Sequence, residues 1–179
     1  QDSYGNTSLI DFAIVGKNAA VKTDSPGGEL FAYNHFNRFQ NDSVQVEIPA
    51  GAIYADFRFE YHTEKASSDF YSDYHLFHNN TVPLHTNATI AIRANRLPKH
   101  LESKVIMAYI HPVTGEFSAA GGRYENGWVT TETRNLGVYA VTVDTLPPEI
   151  TPLSIADNTL TESSRIRFKI KDELAAVLK

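Results

Sequence analysis

The sharpest alternation of apolar and polar positions lies at residues 44–61. Val44, Val46 and Ile48 alternate with Gln45 and Glu47, and Phe57, Phe59 and Tyr61 alternate with Asp56, Arg58 and Glu60. Successive side chains leave a strand on opposite sides, so a period of two predicts strands with one face buried and one face wet. Between the two runs sits Pro49-Ala50-Gly51. Proline lacks the N–H that an interior ladder needs and glycine accepts a left-handed backbone, so the stretch predicts two strands hinged on a bend.

The same reading gives a succession of short strands. A turn at Asp2, Gly5 and Asn6 feeds a strand over 9–15, and a turn over 23–28 feeds one over 29–33. Residues 34–38 and 63–69 read as polar loops, and 70–78, aromatic and polar together, as irregular with room for a short strand. Ile90 and Ile92 alternate with Thr89, Ala91 and Arg93 in a strand over 88–94, closed by Pro98. The unbroken apolar run 105–110 reads as a buried strand, with a hairpin turn at 111–115 and its return at 116–120. A turn over 121–127 and strands over 128–133 and 136–144 follow. Residues 101–104 allow a few helical steps, but no stretch has the period of an amphipathic helix. Short strands punctuated by Gly, Asn and Pro are the pattern of an all-β, antiparallel β-sandwich.

Residues 145–152 read as a linker, held extended by Pro147 and Pro148. Beyond it Ile166, Phe168 and Ile170 alternate with Arg167 and Lys169, which predicts a strand with those three inward, and 153–155 predicts an earlier one. Two strands cannot close a sandwich. The expected division is therefore a last strand of a preceding module at 1–16, a central β-sandwich at 17–146, and the first strands of a following module at 147–179. The tail 174–178 can be helical or frayed.

Composition narrows the function. At 179 residues the chain has room for one complete domain, and 16 basic against 21 acidic side chains, with no run of like charge, argue against a nucleic-acid partner. Cysteine is absent, which excludes disulfides and thiolate metal sites. No stretch is long and apolar enough to span a membrane, and no signal peptide is visible. The chain opens on Gln1, so a piece of a longer protein is expected.

Candidate chemistry is sparse. Asp73, His75, His78 and His85 are the one local group of metal-ligand types, but a strand would set His78 on the face opposite Asp73 and His75. Asp144, Asp172 and Glu173 are too few carboxylates for a calcium bridge. The zinc-peptidase, phosphate-loop, dinucleotide and serine-hydrolase motifs are all absent. No catalytic residue, metal or cofactor is expected. The candidate binding surface is Arg123, Tyr124 and Trp128, aromatics in a Gly-rich turn able to stack on sugars or peptides; for Trp128, and for Tyr71, Tyr74 and Phe77, plain packing is the competing reading.

The run Val46-Glu-Ile-Pro-Ala-Gly-Ala-Ile53 resembles the I-P-x-G-A-[IL] signature of ZU-type β-sandwich domains of ankyrins and netrin receptors. More widely, 46–61, Pro83-Leu84-His85, 115–144 with Gly121-Gly122, Gly127-Trp128 and the run from Gly137, and 147–152 together resemble a non-catalytic region. That region is the Ig-like one following the peptidase domain in lysostaphin-type (LytM-like) zinc metallopeptidases of Bacteroidetes. The turn from Asp2 to Ser8 is similar to the one feeding the last strand of bacterial Ig-like modules. The resemblance implies an accessory region of a larger periplasmic or extracellular cell-envelope protein. Its partners would be the rest of the parent polypeptide, including a peptidase domain, or an envelope glycan or protein. The family's zinc site needs H-x-x-x-D and H-x-H, and neither occurs; His75 with Asn79 is the nearest form. The alternative is a free-standing carbohydrate- or protein-binding adhesion module.

Overall fold

A computed structural model describes residues 28–155, 160 and 164–172. The expected strand over 9–15 and the tail over 174–178 lie outside them. The described chain runs β1 (Glu29–Phe31), β2 (Asn37–Gln40), β3 (Val44–Ile48), β4 (Phe57–Phe59), β5 (Tyr61–Glu64), β6 (Tyr74–Phe77) and β7 (Ala88–Arg93). A 3-10 turn over Lys99–Lys104 precedes β8 (Val105–Ile110), β9 (Phe117–Ala119), β10 (Arg123–Glu125), β11 (Trp128–Thr133), β12 (Gly137–Val143), β13 (Glu149–Pro152) and β14 (Phe168–Lys171).

Two five-stranded sheets form the sandwich, ordered β10-β11-β7-β3-β2 and β5-β6-β12-β8-β9, and every pairing is antiparallel. The alternation of β3 sets its register. Val44 faces Ile92 and Val46 faces Ile90 across the ladder, Val129 follows on β11 beside Ile92, and all five are fully buried. The second sheet answers with Phe77, Met107, Tyr139 and Val141, so side chains of both sheets merge in one core. Burying each such side chain contributes about 1.5–3 kcal/mol. The short β1–β4 pair adds Phe31 and Phe59, stacked at 4.5 Å.

The bend at Pro49-Ala50-Gly51 joins layers rather than closing a hairpin. β3 belongs to the first sheet, β4 pairs with β1, and β5 is an edge of the second sheet. Gly51 takes φ +77°, its N–H donates to the Tyr33 carbonyl at 2.7 Å, and the Ala52 carbonyl accepts from His85 N at 2.7 Å. At the other side the chain passes between the sheets at Gly121-Gly122. Ala120 N donates to the Met107 carbonyl and Met107 N to the Gly121 carbonyl, at 2.7 and 2.6 Å. A Cβ on Gly122 would stand 2.9 Å from Met107 N, so only glycine fits.

Several expected boundaries shift. Residues 37–38 open β2, residues 63–64 belong to β5, and 74–77 form an interior strand of the second sheet. Within the stretch expected to turn, 123–125 form β10, because Asn126 and Gly127, both at positive φ, make the reversal alone. Residues 149–152 of the expected linker are β13, and 153–155 are not a strand. Ile166, Phe168 and Ile170, expected inward, are 53%, 52% and 47% exposed. β14 pairs with β13 alone, and a two-stranded sheet supplies no second layer to bury them.

Candidate functional site

Direct cross-strand neighbours share a face of a sheet. Across the second sheet the register aligns His62, Leu76, Val138, Ile110 and Phe117, one from each strand in spatial order. The neighbours of these residues along the strands, Phe77, Tyr139 and Tyr109, pack in or against the core, so the row lies on the outer face. Leu76, Val138 and Ile110 are half-buried there, with no second sheet above them among the described residues.

Part of this outer face is covered by the chain itself. Ala108 and Ala140 are cross-strand partners, and their small side chains admit Phe70 from the loop before β6. Phe70 meets Tyr74 and Phe117 edge-on, with centroids 5.1 and 5.6 Å away. The loop is fixed to β12, since Tyr71 N donates to the Val141 carbonyl at 2.7 Å and Val141 N to Ser72 Oγ at 2.9 Å. Arg96 pins it from the side, bonding the Ser72 carbonyl and pairing with Asp73 at 3.1 Å.

Beside Phe70 the face stays open. A hollow of about 290 Å³ has Leu76, Val138 and Ile110 in its lining, with His62, Glu64 and Tyr74 on one side and His111 and Pro112 on the other. His111 also lines a second hollow of about 310 Å³, whose Tyr109, Glu116 and Ser118 alternate with Ile110 and Phe117 and so lie toward the other face of the sheet. Among the described residues no Lys or Arg lines either one. Concave, largely apolar and floored by β6, β12 and β8, the first hollow is a candidate binding surface on the described residues. Val138 and Ile110 belong to runs with apolar residues on both sides of the strand, the one sequence signal that a second face meets apolar matter. Register alone brings His62, Leu76 and His111 to them.

A family model described as the Zu5-like domain matches residues 28–144. The chain belongs to the Zu5-like domain family. The match takes in the Ile48-to-Ala52 bend and both sheets. No curated protein matches the chain.

The Zu5-like sandwich separates the residues expected to bind. Arg123 and Trp128 lie on the outer face of the first sheet, where Arg123 pairs with Glu125 at 3.5 Å and Trp128 carries the Arg93 guanidinium 5.8 Å from its ring centroid. That guanidinium occupies a ring face a sugar would need. Tyr124 points the other way, packs against the core beside its partner Val129, and donates to Glu102 Oε1 at 3.0 Å. Phe77 is fully buried, and Tyr71 and Tyr74 pack against apolar clusters.

Burial holds His75 and Tyr139 of the Zu5-like core in their neutral forms at neutral pH. Burial pulls the His75 pKa down to about 4, against the opposing pull of the Asp73 charge, and the neutral ring shares a hydrogen bond with Tyr61 Oη at 2.7 Å through Nδ1. Burial pushes Tyr139 up to about 12; its hydroxyl donates to the Asn135 carbonyl at 2.7 Å. Among the described residues no three His, Cys, Asp or Glu side chains are grouped to hold a metal ion. No described helix is long and apolar enough to cross a membrane.

Proposed function

We propose that the chain is a non-catalytic accessory module of a larger exported cell-envelope protein, of the LytM-like metallopeptidase kind, and that it holds the rest of that polypeptide against the outer face of its second sheet. One observation carries the reading: the row from His62 to Phe117 presents apolar side chains outward on a rigid sheet, where an isolated sandwich would place polar ones. Membership of the Zu5-like family, which has no known catalytic role, supports the non-catalytic part. The bare apolar side chains of β13 and β14 support a neighbouring module, since a following domain would cover them.

Calorimetric titration of the chain with the separately produced remainder of the parent polypeptide tests the reading. Binding is expected, lost in Val138→Lys and kept in Thr130→Lys on the first sheet. No binding, or equal loss in both variants, contradicts it. The chain alone is expected to release no muropeptides from peptidoglycan; release abolished by a chelator overturns the non-catalytic assignment.

A further inference from the structure

The covered and open parts of the second sheet's outer face meet at shared residues. Tyr74 and Ile110 pack against the cluster of Phe70, Ala108 and Ala140, and both also line the first hollow, of about 290 Å³. On the covered side a single ring closes the sheet: Phe70 packs with Ala108 and Ala140, and Tyr74 stands edge-on to it at 5.1 Å with the ring planes at 68°. On the open side the floor is Leu76, Val138 and Ile110, all half-buried, and the rim carries His62, Glu64 and His111, all exposed. An apolar floor inside a polar rim is how an interface seats one anchoring side chain, the rim keeping water from the buried contact.

We propose that the first hollow is an anchor pocket for one aromatic side chain, a Phe, Tyr or Trp presented by the neighbouring polypeptide, which repeats next to Phe70 the packing that Phe70 itself makes. The assignment rests on the reading of this face as the interaction surface and adds the kind of group it receives. Size sets one limit. An apolar cavity of about 150 Å³ holds a benzene ring, so a hollow of about 290 Å³ has room for one ring and the backbone atoms that carry it. Chemistry sets another: among the described residues no Lys or Arg lines the hollow to meet an anion, and a charged group set on the floor of Leu76, Val138 and Ile110 loses its water without gaining a partner. Tyr74 favours a ring over an aliphatic chain, because an edge-to-face pair gains more than the area it buries.

N-acetyl-L-phenylalanine amide is the probe, one neutral ring on a minimal backbone, and the matching leucine and alanine compounds are the controls. Each is titrated into the intact chain while the methyl resonances of Leu76, Val138 and Ile110 are followed by NMR. The phenylalanine compound is expected to shift all three saturably, with a dissociation constant about threefold or more below that of the leucine compound, and the alanine compound to reach no saturation. The methyl of Ala91, in the corresponding row of the first sheet, should not move. Val138→Lys should abolish the shifts at Leu76 and Ile110, with an unchanged thermal melt as the check on folding, and Thr130→Lys on the first sheet should leave them.

Equal affinity for the phenylalanine and leucine compounds, no saturable shift at the three methyls, or shifts that survive Val138→Lys overturns the proposal. Binding of the parent polypeptide that Val138→Lys abolishes, while the phenylalanine compound leaves the three methyls unmoved, overturns the anchor pocket and leaves the accessory-module reading standing. A pocket that fills with the phenylalanine compound while the parent polypeptide does not bind keeps the aromatic preference and overturns that reading. Self-association of the intact chain, lost in Val138→Lys, makes a second copy the donor of the ring and overturns its assignment to the neighbouring polypeptide.

Discussion

The two sheets have the same strand count and antiparallel ladders but opposite outer faces. In the first, one row across the sheet reads Arg123, Thr130, Ala91, Gln45 and Gln40, and in the second the corresponding row reads His62, Leu76, Val138, Ile110 and Phe117. The first face is finished with polar pairs: Arg38 with its cross-strand partner Glu47 at 3.4 Å, and Asn87 between Glu132 and Arg134 at 3.2 Å to each. The second is closed over Ala108 and Ala140 by Phe70 and left open over Leu76, Val138 and Ile110. Folding this sandwich does not require apolar groups on that open stretch, since the first sheet does without them. Their presence points to something that covers them.

The inner faces differ as well. Val44, Val46, Ile48, Ile90, Ile92 and Val129 make the centre of the first aliphatic, with Thr131, Phe39 and Tyr124 around them, while the second holds His75, Phe77 and Tyr139. The second sheet is thus the one that carries the buried ionisable side chains His75 and Tyr139.

The largest expected effect breaks the covered half of the second face. Phe70→Ala uncovers Ala108 and Ala140 and should lower stability by about 3–5 kcal/mol in urea unfolding. Thr130→Ala on the first face should stay within about 0.5 kcal/mol. A loss below about 1 kcal/mol for Phe70→Ala would mean that the loop is no cover.

Next in size is the response to acid. The folded pKa of His75 lies below the ordinary 6.5, so the unfolded chain binds the proton first. The contribution of His75 is therefore complete above about pH 6.5 and is lost as pH falls toward about 4. A shift of that size corresponds to at most roughly 3 kcal/mol. Chemical-denaturation midpoints for wild type and His75→Leu should differ in slope over that window and run parallel above pH 7. Parallel curves throughout would remove His75 from the account.

Smaller again is the bend where the chain changes layer. Gly51→Val meets no neighbouring atom but must adopt φ +77°, which should cost about 1–2 kcal/mol of stability. Gly51→Asn should cost less, because asparagine tolerates that region. The smallest effect expected is from Arg123→Ala, whose exposed ion pair with Glu125 contributes less than about 1 kcal/mol, with no change in partner binding.

Alternation exposed most of the sandwich in the sequence. β3, β7 and β11 have one wet face and a clear period of two, and β8 and β12 are continuous apolar runs bounded by turns. β6 was illegible because Tyr74, His75, Leu76 and Phe77 have no polar alternate to mark a face; Phe70 lies against one side of it and the core against the other. β10 is three residues beside a tight Asn126-Gly127 reversal, too short for a period. The open stretch was illegible for a different reason. Its residues come from separate strands, and only the register, set by the whole fold, lines them up. The placement of Tyr124 was illegible too, because only the short strand after Gly121-Gly122 sends it inward while Arg123 faces out.

The absence of cysteine from the chain permits a clean test of the asymmetry between the two outer faces. Val138→Cys and Thr130→Cys place one thiol on the central strand of the open face and one on the polar face. Maleimide labelling rates are measured in the isolated chain and in the chain joined to the parent polypeptide proposed above. The account predicts that joining slows labelling at 138 by tenfold or more and leaves 130 within twofold. Equal rates at 138 in the two forms, or equal slowing at both positions, would contradict it.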